Sequence, residues 1–152
     1  MYAAVDSSTL ISLVAWSGQL ELLDRVPLRM VIPAAVRRET VEEGLERGYP
    51  DAAAIERAIA GLFVTEGAVA ATVDAAVLEA GRAQGVLLTN DVALGRRAAN
   101  LGVRWLRTAD LVMLCVRSGS IGPERGIAAV RALRSAGRLT EDLLHAYLEE
   151  LT

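Results

Sequence analysis

The sequence predicts an α/β fold: three layers, with a central, mostly parallel sheet of about five strands flanked by helices. Two observations carry that expectation. Short apolar runs alternate with longer segments of helical spacing, and strand–helix alternation implies parallel pairing through right-handed crossovers. Gly or Pro stands at most of the helix boundaries.

Taken in order, Tyr2 to Val5 is an apolar run suited to a buried strand. Ser7, Ser8 and Thr9 supply capping oxygens before a helix in LISLVAWSG, which Gly18 ends. The amphipathic piece QLELL follows, and Arg29 to Ile32 is the second strand. Pro33 suits the first turn of a helix in AAVRRETVEEGLERG. Pro50 opens a helix in DAAAIERAIAG, which Gly61 ends, and Leu62 to Thr65 is the third strand. An Ala-rich helix over residues 72 to 84 precedes a strand at Val86 to Leu88. A helix over Val92 to Leu101 ends at Gly102, before a fifth strand at Val103 to Leu106. Thr108 is placed to cap the helix ADLVMLCVRSG. PERGIAAVRALRSAG and TEDLLHAYLEELT are two final amphipathic helices. No linker, repeat or low-complexity tract interrupts the chain, so its 152 residues are expected to form one domain, 1–152.

Composition excludes several kinds of chemistry. All 16 basic residues are arginine, so a P-loop lysine or a Schiff-base lysine is absent. One histidine, His145, and one cysteine, Cys115, cannot build a His/Cys zinc site. A Ser–His–Asp triad would have to recruit His145 from a terminal amphipathic helix. Cys115 lies in LVMLCV and reads as a small buried apolar residue. Hydrophobic residues make up 53% but aromatics only 4%, so Ala, Leu and Val must fill the core. Tyr2, Tyr49, Phe63, Tyr147, Trp16 and Trp105 mostly read as core, which leaves few stacking platforms. No run is long enough to cross a membrane and no secretory signal is visible; the expectation is a cytoplasmic protein.

What remains for chemistry is carboxylates, hydroxyls and arginines. Asp6 follows the first strand and Asp91 follows the fourth, in VLLTND. Glu39 lies in the helix after the second strand, and Asp74 lies in the first turn of the helix before the fourth. Each has an ordinary explanation. Asp6 and Asp91 can cap helices, Asp74 complements a helix dipole, and Glu39 sits with Arg37, Arg38, Glu42 and Glu43 on what can be a solvated face. Together they are distant carboxylates that a parallel sheet can bring to one edge, where ligands bind in α/β folds. Two bare carboxylates ~4 Å apart repel by roughly 4 kcal/mol at a surface-like dielectric. A hard cation between them reverses that term, and an oxygen-only site suits Mg²⁺ or Mn²⁺. The net charge of −3 argues against a general nucleic-acid binder, although the arginines are unevenly spread.

The motifs Asp6-Ser7-Ser8, Pro33-x-x-Val36-x-x-Glu39, Asp74-Ala75-Ala76-Val77 and Leu87-Leu88-Thr89-Asn90-Asp91 resemble those of the PIN-domain ribonuclease family. Within it the chain is most similar to VapC-like proteins with an added helical C-terminus, here residues 122–152. The resemblance implies that Asp6, Glu39, Asp74 and Asp91 are the metal-binding and catalytic acids. It implies that Ser8, Thr89 and Asn90 support them; Arg96 and Arg97 are candidates to meet a phosphate, for which the resemblance gives no firm assignment. It further implies Mg²⁺- or Mn²⁺-dependent hydrolysis of RNA leaving a 3′-hydroxyl and a 5′-phosphate, with single strands preferred. An antitoxin protein is the partner it implies; the apolar faces of the last two helices leave two alternatives, packing on the domain or forming a homodimer. Asn90 stands where the subgroup commonly has an acid, which lowers the charge of the site. Two other readings compete: a housekeeping or inactive PIN protein acting as a binding module, and a metal-dependent phosphatase. The phosphatase class usually has a second acid two residues after its nucleophilic Asp, and this chain has Ser8 there.

Overall fold

A computed structural model describes residues 2–15, 28–60, 63–65 and 72–152. Its sheet has five parallel strands in the order β3-β2-β1-β4-β5, with β1 at Tyr2–Val5, β2 at Arg29–Pro33, β3 at Phe63–Thr65, β4 at Val86–Leu88 and β5 at Arg104–Leu106. The register sets Ala4 beside both Val31 and Leu87, and Val5 beside Leu88. Ala3, Ala4 and Val5 are fully buried, as a central strand covered on both faces requires.

Nine α-helical segments accompany the strands among the described residues: α1 (Ser7–Ala15), α2 (Ala34–Arg37), α3 (Glu43–Glu46), α4 (Asp51–Ile59), α5 (Val73–Gln84), α6 (Val92–Asn100), α7 (Thr108–Arg117), α8 (Pro123–Ser135) and α9 (Glu141–Leu151). Helix α5 lies across β1, β4 and β2 and meets α2 and α6, while α1 meets α4 and α7. A Cβ on Gly81 would come within 2.9 Å of the Leu87 side chain, so a glycine lets α5 press onto β4. The core is aliphatic: Leu10, Met30, Ile32, Ile55, Leu87, Leu94 and Leu111 are its large members.

The two C-terminal helices pack on the domain. Helix α8 lies against α7, where a Cβ on Gly126 would meet Val116 at 2.6 Å, and α9 lies against α8. The Tyr147 hydroxyl donates to Oδ1 of Asp110 at 2.7 Å and pins α9 to the start of α7. Burial, then that bond to a carboxylate, raises the Tyr147 pKa.

Several expectations need correction. The helix foreseen over 34–48 is broken: a π-helical turn, Arg38–Glu42, separates α2 from α3. The Thr40 hydroxyl donates to the Val36 carbonyl at 2.8 Å, the back-bond through which Thr bends helices. Pro33 ends β2 and caps α2 from outside it. Thr108 is the first residue of α7 rather than its cap; the Asp110 carboxylate accepts from the Arg107 amide there. Tyr2 and Tyr49 are exposed and Trp105 is half-buried, whereas Tyr147 is in the core; the Phe63 side chain lies outside what the structure describes. Gly18, QLELL, Gly61, Leu62 and Trp16 lie outside the described residues. Cys115 is buried, as expected, and burial raises its thiol pKa; His145 is exposed.

Candidate functional site

Strands β1 and β4 are neighbours in space, yet β2 and β3 come between them in sequence. Strand order therefore reverses beside β1, and a crevice opens beyond the carboxyl ends of β1 and β4. Asp6 is the residue after β1, and Thr89, Asn90 and Asp91 follow β4.

Asp6 is buried, and its charge is held by hydrogen bonds. Oδ1 accepts from the Ser8 amide and Oδ2 from the Thr89 hydroxyl. The Asp6 amide donates to the Leu88 carbonyl at 3.1 Å, so ladder bonding runs into the loop. Thr89 is itself fixed. Its amide donates to Leu106 at 3.0 Å, and its carbonyl accepts from Trp105 Nε1 at 3.0 Å. The fully buried Thr89 thus reaches β5 through its backbone and Asp6 through its hydroxyl, which also accepts from the Asp91 amide at 3.0 Å.

Asn90 works as a brace. Its Nδ2 donates to Thr108 Oγ1 at 2.9 Å and to Ser12 Oγ at 3.2 Å, its Oδ1 accepts from the Thr108 amide, and its own amide donates to Ser8 Oγ. An acid at this position would lack the Nδ2 donor. Where the resemblance implies an acid, Asn90 therefore supplies a link between α1, the β4 loop and α7 in place of a charge.

Asp91 caps α6, with Oδ1 accepting from the Leu94 amide at 3.1 Å. Glu39 sits in the π turn, and its Oε2 accepts from Ser7 Oγ at 2.6 Å. Asp74 is in the first turn of α5, whose cap is Thr72. Asp6, Glu39, Asp74 and Asp91 all line one open cleft of about 410 Å³. They also sense one another. Partial burial, followed by the charges of Asp91, Asp6 and Glu39, raises the Asp74 pKa, and Arg97 opposes them.

The donor set suits a hard cation, being carboxylate, hydroxyl and amide oxygen. The carboxylates line the cleft without closing on a point: among the described residues no three His, Cys, Asp or Glu side chains form a ready metal group. Asp6, Asp91 and Glu39 each accept hydrogen bonds from separate donors. Mg²⁺ needs only one or two direct carboxylates and keeps several waters, so an open arrangement still fits it.

Of the expected phosphate contacts, Arg96 and Arg97 are both exposed on α6 and neither lines the cleft, although the charge of Arg97 reaches Asp74. Two cleft residues were missed as such. Ser7 reads in sequence as a cap, yet it binds Glu39. Arg138, from the turn between α8 and α9, lines the cleft with Gly137. Only packing of the terminal helices brings it there, and no local pattern signals that.

A family model described as DUF3368, a PIN domain, matches residues 2–152. The chain belongs to the PIN-domain family. PIN domains are typically nucleases and generally use divalent metal ions. A PilT N-terminus domain protein, SSO1118 from the hyperthermophilic archaeon Sulfolobus solfataricus P2, is similar in structure: 16% identity, a TM-score of 0.46, covering 73% of this chain and 90% of that one. No curated protein matches the chain. No helix among the described residues of this PIN protein is long and apolar enough to cross a membrane.

Proposed function

We propose that the protein is a Mg²⁺- or Mn²⁺-dependent endoribonuclease and acts as the toxin of a toxin–antitoxin pair. The observation that carries the reading is the convergence of Asp6, Glu39, Asp74 and Asp91 on one cleft at the switch point of the sheet. Asp6, Asp74, Asp91 and Glu39 would hold the cation. When bound, it supplies Lewis-acid neutralisation of phosphodiester charge and acidifies water. Asp6 is pre-oriented for this by Ser8 and Thr89. Partial burial first, and then the neighbouring carboxylates, raises the Asp74 pKa, and a cation would offset the carboxylates' share. Neither His nor Lys is needed, consistent with an exposed His145 and the absence of lysine. Hydrolysis would leave a 3′-hydroxyl and a 5′-phosphate. An antitoxin would cover the cleft, and a homodimer is the proposed assembly.

A second reading, a PIN protein that binds RNA without cutting it, is favoured by the absence of a preformed three-acid group among the described residues. A cleavage assay separates the two. Single-stranded RNA incubated with protein and Mn²⁺ should be cut, and EDTA should stop the cutting. RNA retained intact at saturating protein and metal would favour the binder.

A further inference from the structure

The arginine that the terminal helices bring to the cleft is mounted with unusual restraint. Helix α8 ends in a Schellman motif: the Gly137 amide donates to Arg134 O at 3.0 Å and the Arg138 amide to Leu133 O at 2.9 Å. Gly137 takes φ 75°, a left-handed conformation that glycine adopts without strain. On the other side of Arg138, Leu139 is buried and Thr140 caps α9, its hydroxyl accepting from the Leu143 amide. The Arg134–Glu141 ion pair, 3.0 Å long, spans the turn. The backbone that carries Arg138 is therefore fixed on both sides.

The side chain is half-buried at the cleft and makes no ion pair among the described residues. An arginine lining the same cleft as four carboxylates, with no ion pair among the described residues, has donors left over for an anion. A carboxylate cleft repels the phosphates of an incoming strand, and a rigid fork of N–H donors at its rim offsets that repulsion bidentately.

We infer that Arg138 binds a backbone phosphate of single-stranded RNA adjacent to the one cleaved, so that the C-terminal extension completes the substrate site; this rests on the nuclease reading above. Arg138 is then a substrate-binding residue, and the Arg134–Glu141 pair is a positioning device for it.

The experiment compares wild type, Arg138→Ala, Arg138→Lys and, as a control on the exposed face of α8, Arg131→Ala. Cleavage of a labelled single-stranded RNA is measured in Mn²⁺. RNA affinity is measured against salt with each substitution added to Asp6→Asn protein. Arg138→Ala should lower kcat/KM by roughly ten- to a hundredfold, chiefly through KM. It should also reduce the slope of log Kd against log salt by about 0.7, the value of one phosphate contact on a single strand. Arg138→Lys should keep the slope and lose part of the affinity, and Arg131→Ala should match wild type. A slope unchanged in Arg138→Ala overturns the inference, whether or not the melting temperature falls, because a purely structural role leaves the slope alone. The two readings fail separately. Cutting with an unchanged slope rejects the phosphate contact and keeps the nuclease; Arg138-dependent binding without cutting rejects the nuclease and keeps the contact. Neither cutting nor binding rejects both.

Discussion

The Thr89 hydroxyl donates to Oδ2 of Asp6 across 83 residues of sequence. It joins the loops after β1 and β4 at the cleft, and Trp105 Nε1 donates to the Thr89 carbonyl. Losing that donor should disorient Asp6 without unfolding the protein. Thr89→Val should lower cleavage by roughly 10- to 100-fold, the usual effect of removing a partner of a metal-binding carboxylate. Asp6→Asn should abolish it. Both are checked by Mn²⁺-dependent turnover beside a circular dichroism spectrum; full activity in Asp6→Asn would remove that residue from the site.

Asp74 gives a pH signature. Its pKa is raised in the folded protein, so folding favours its protonated form. That contribution is complete below the ordinary Asp value of ~3.9 and is lost as pH rises through the folded value. In EDTA, the melting temperature of wild type relative to Asp74→Asn should therefore fall as pH rises across that window. A difference that stays constant with pH, or one that grows in favour of wild type, would contradict a pKa raised by burial and by the neighbouring acids.

Gly95 is where α6 meets β5. A Cβ there would lie 2.0 Å from the Trp105 ring, closer than any real contact. Gly95→Ala should cost about 1–3 kcal/mol by overpacking. Because Trp105 Nε1 holds the Thr89 carbonyl, the substitution should also lower cleavage. Urea unfolding and turnover check the two effects; Trp105→Phe, which keeps one aromatic ring and loses the Nε1 donor, should also reduce turnover.

Much of this was legible beforehand. Alternating buried strands and helices fixed the layers, because Ala3, Ala4 and Val5 can only be a strand covered on both faces. Asp6 and Asp91 were readable because strand ends deliver side chains to the sheet edge. Glu39 was legible by position but not by setting: the π turn depends on a Thr40 back-bond that helix periodicity does not encode. Asn90 as a brace needs α7 in place, and Arg138 at the cleft needs α8 docked on α7. Both are products of packing between elements distant in sequence.

Tyr147 provides a control distant from the acids. Tyr147→Phe removes its bond to Asp110, which keeps the Arg107 amide as a partner. Stability should fall by about 1 kcal/mol while cleavage per folded molecule stays unchanged. A loss of turnover in fully folded Tyr147→Phe would mean that α9 contributes to the site through more than the Arg138 turn.

The central claim is that distant carboxylates share one hard cation. Anomalous diffraction from crystals soaked in Mn²⁺ reads it directly. A peak in the cleft within coordination distance of Asp6 and at least one of Glu39, Asp74 and Asp91 is the predicted result. An empty cleft at saturating Mn²⁺, or manganese bound only elsewhere on the protein, would contradict it.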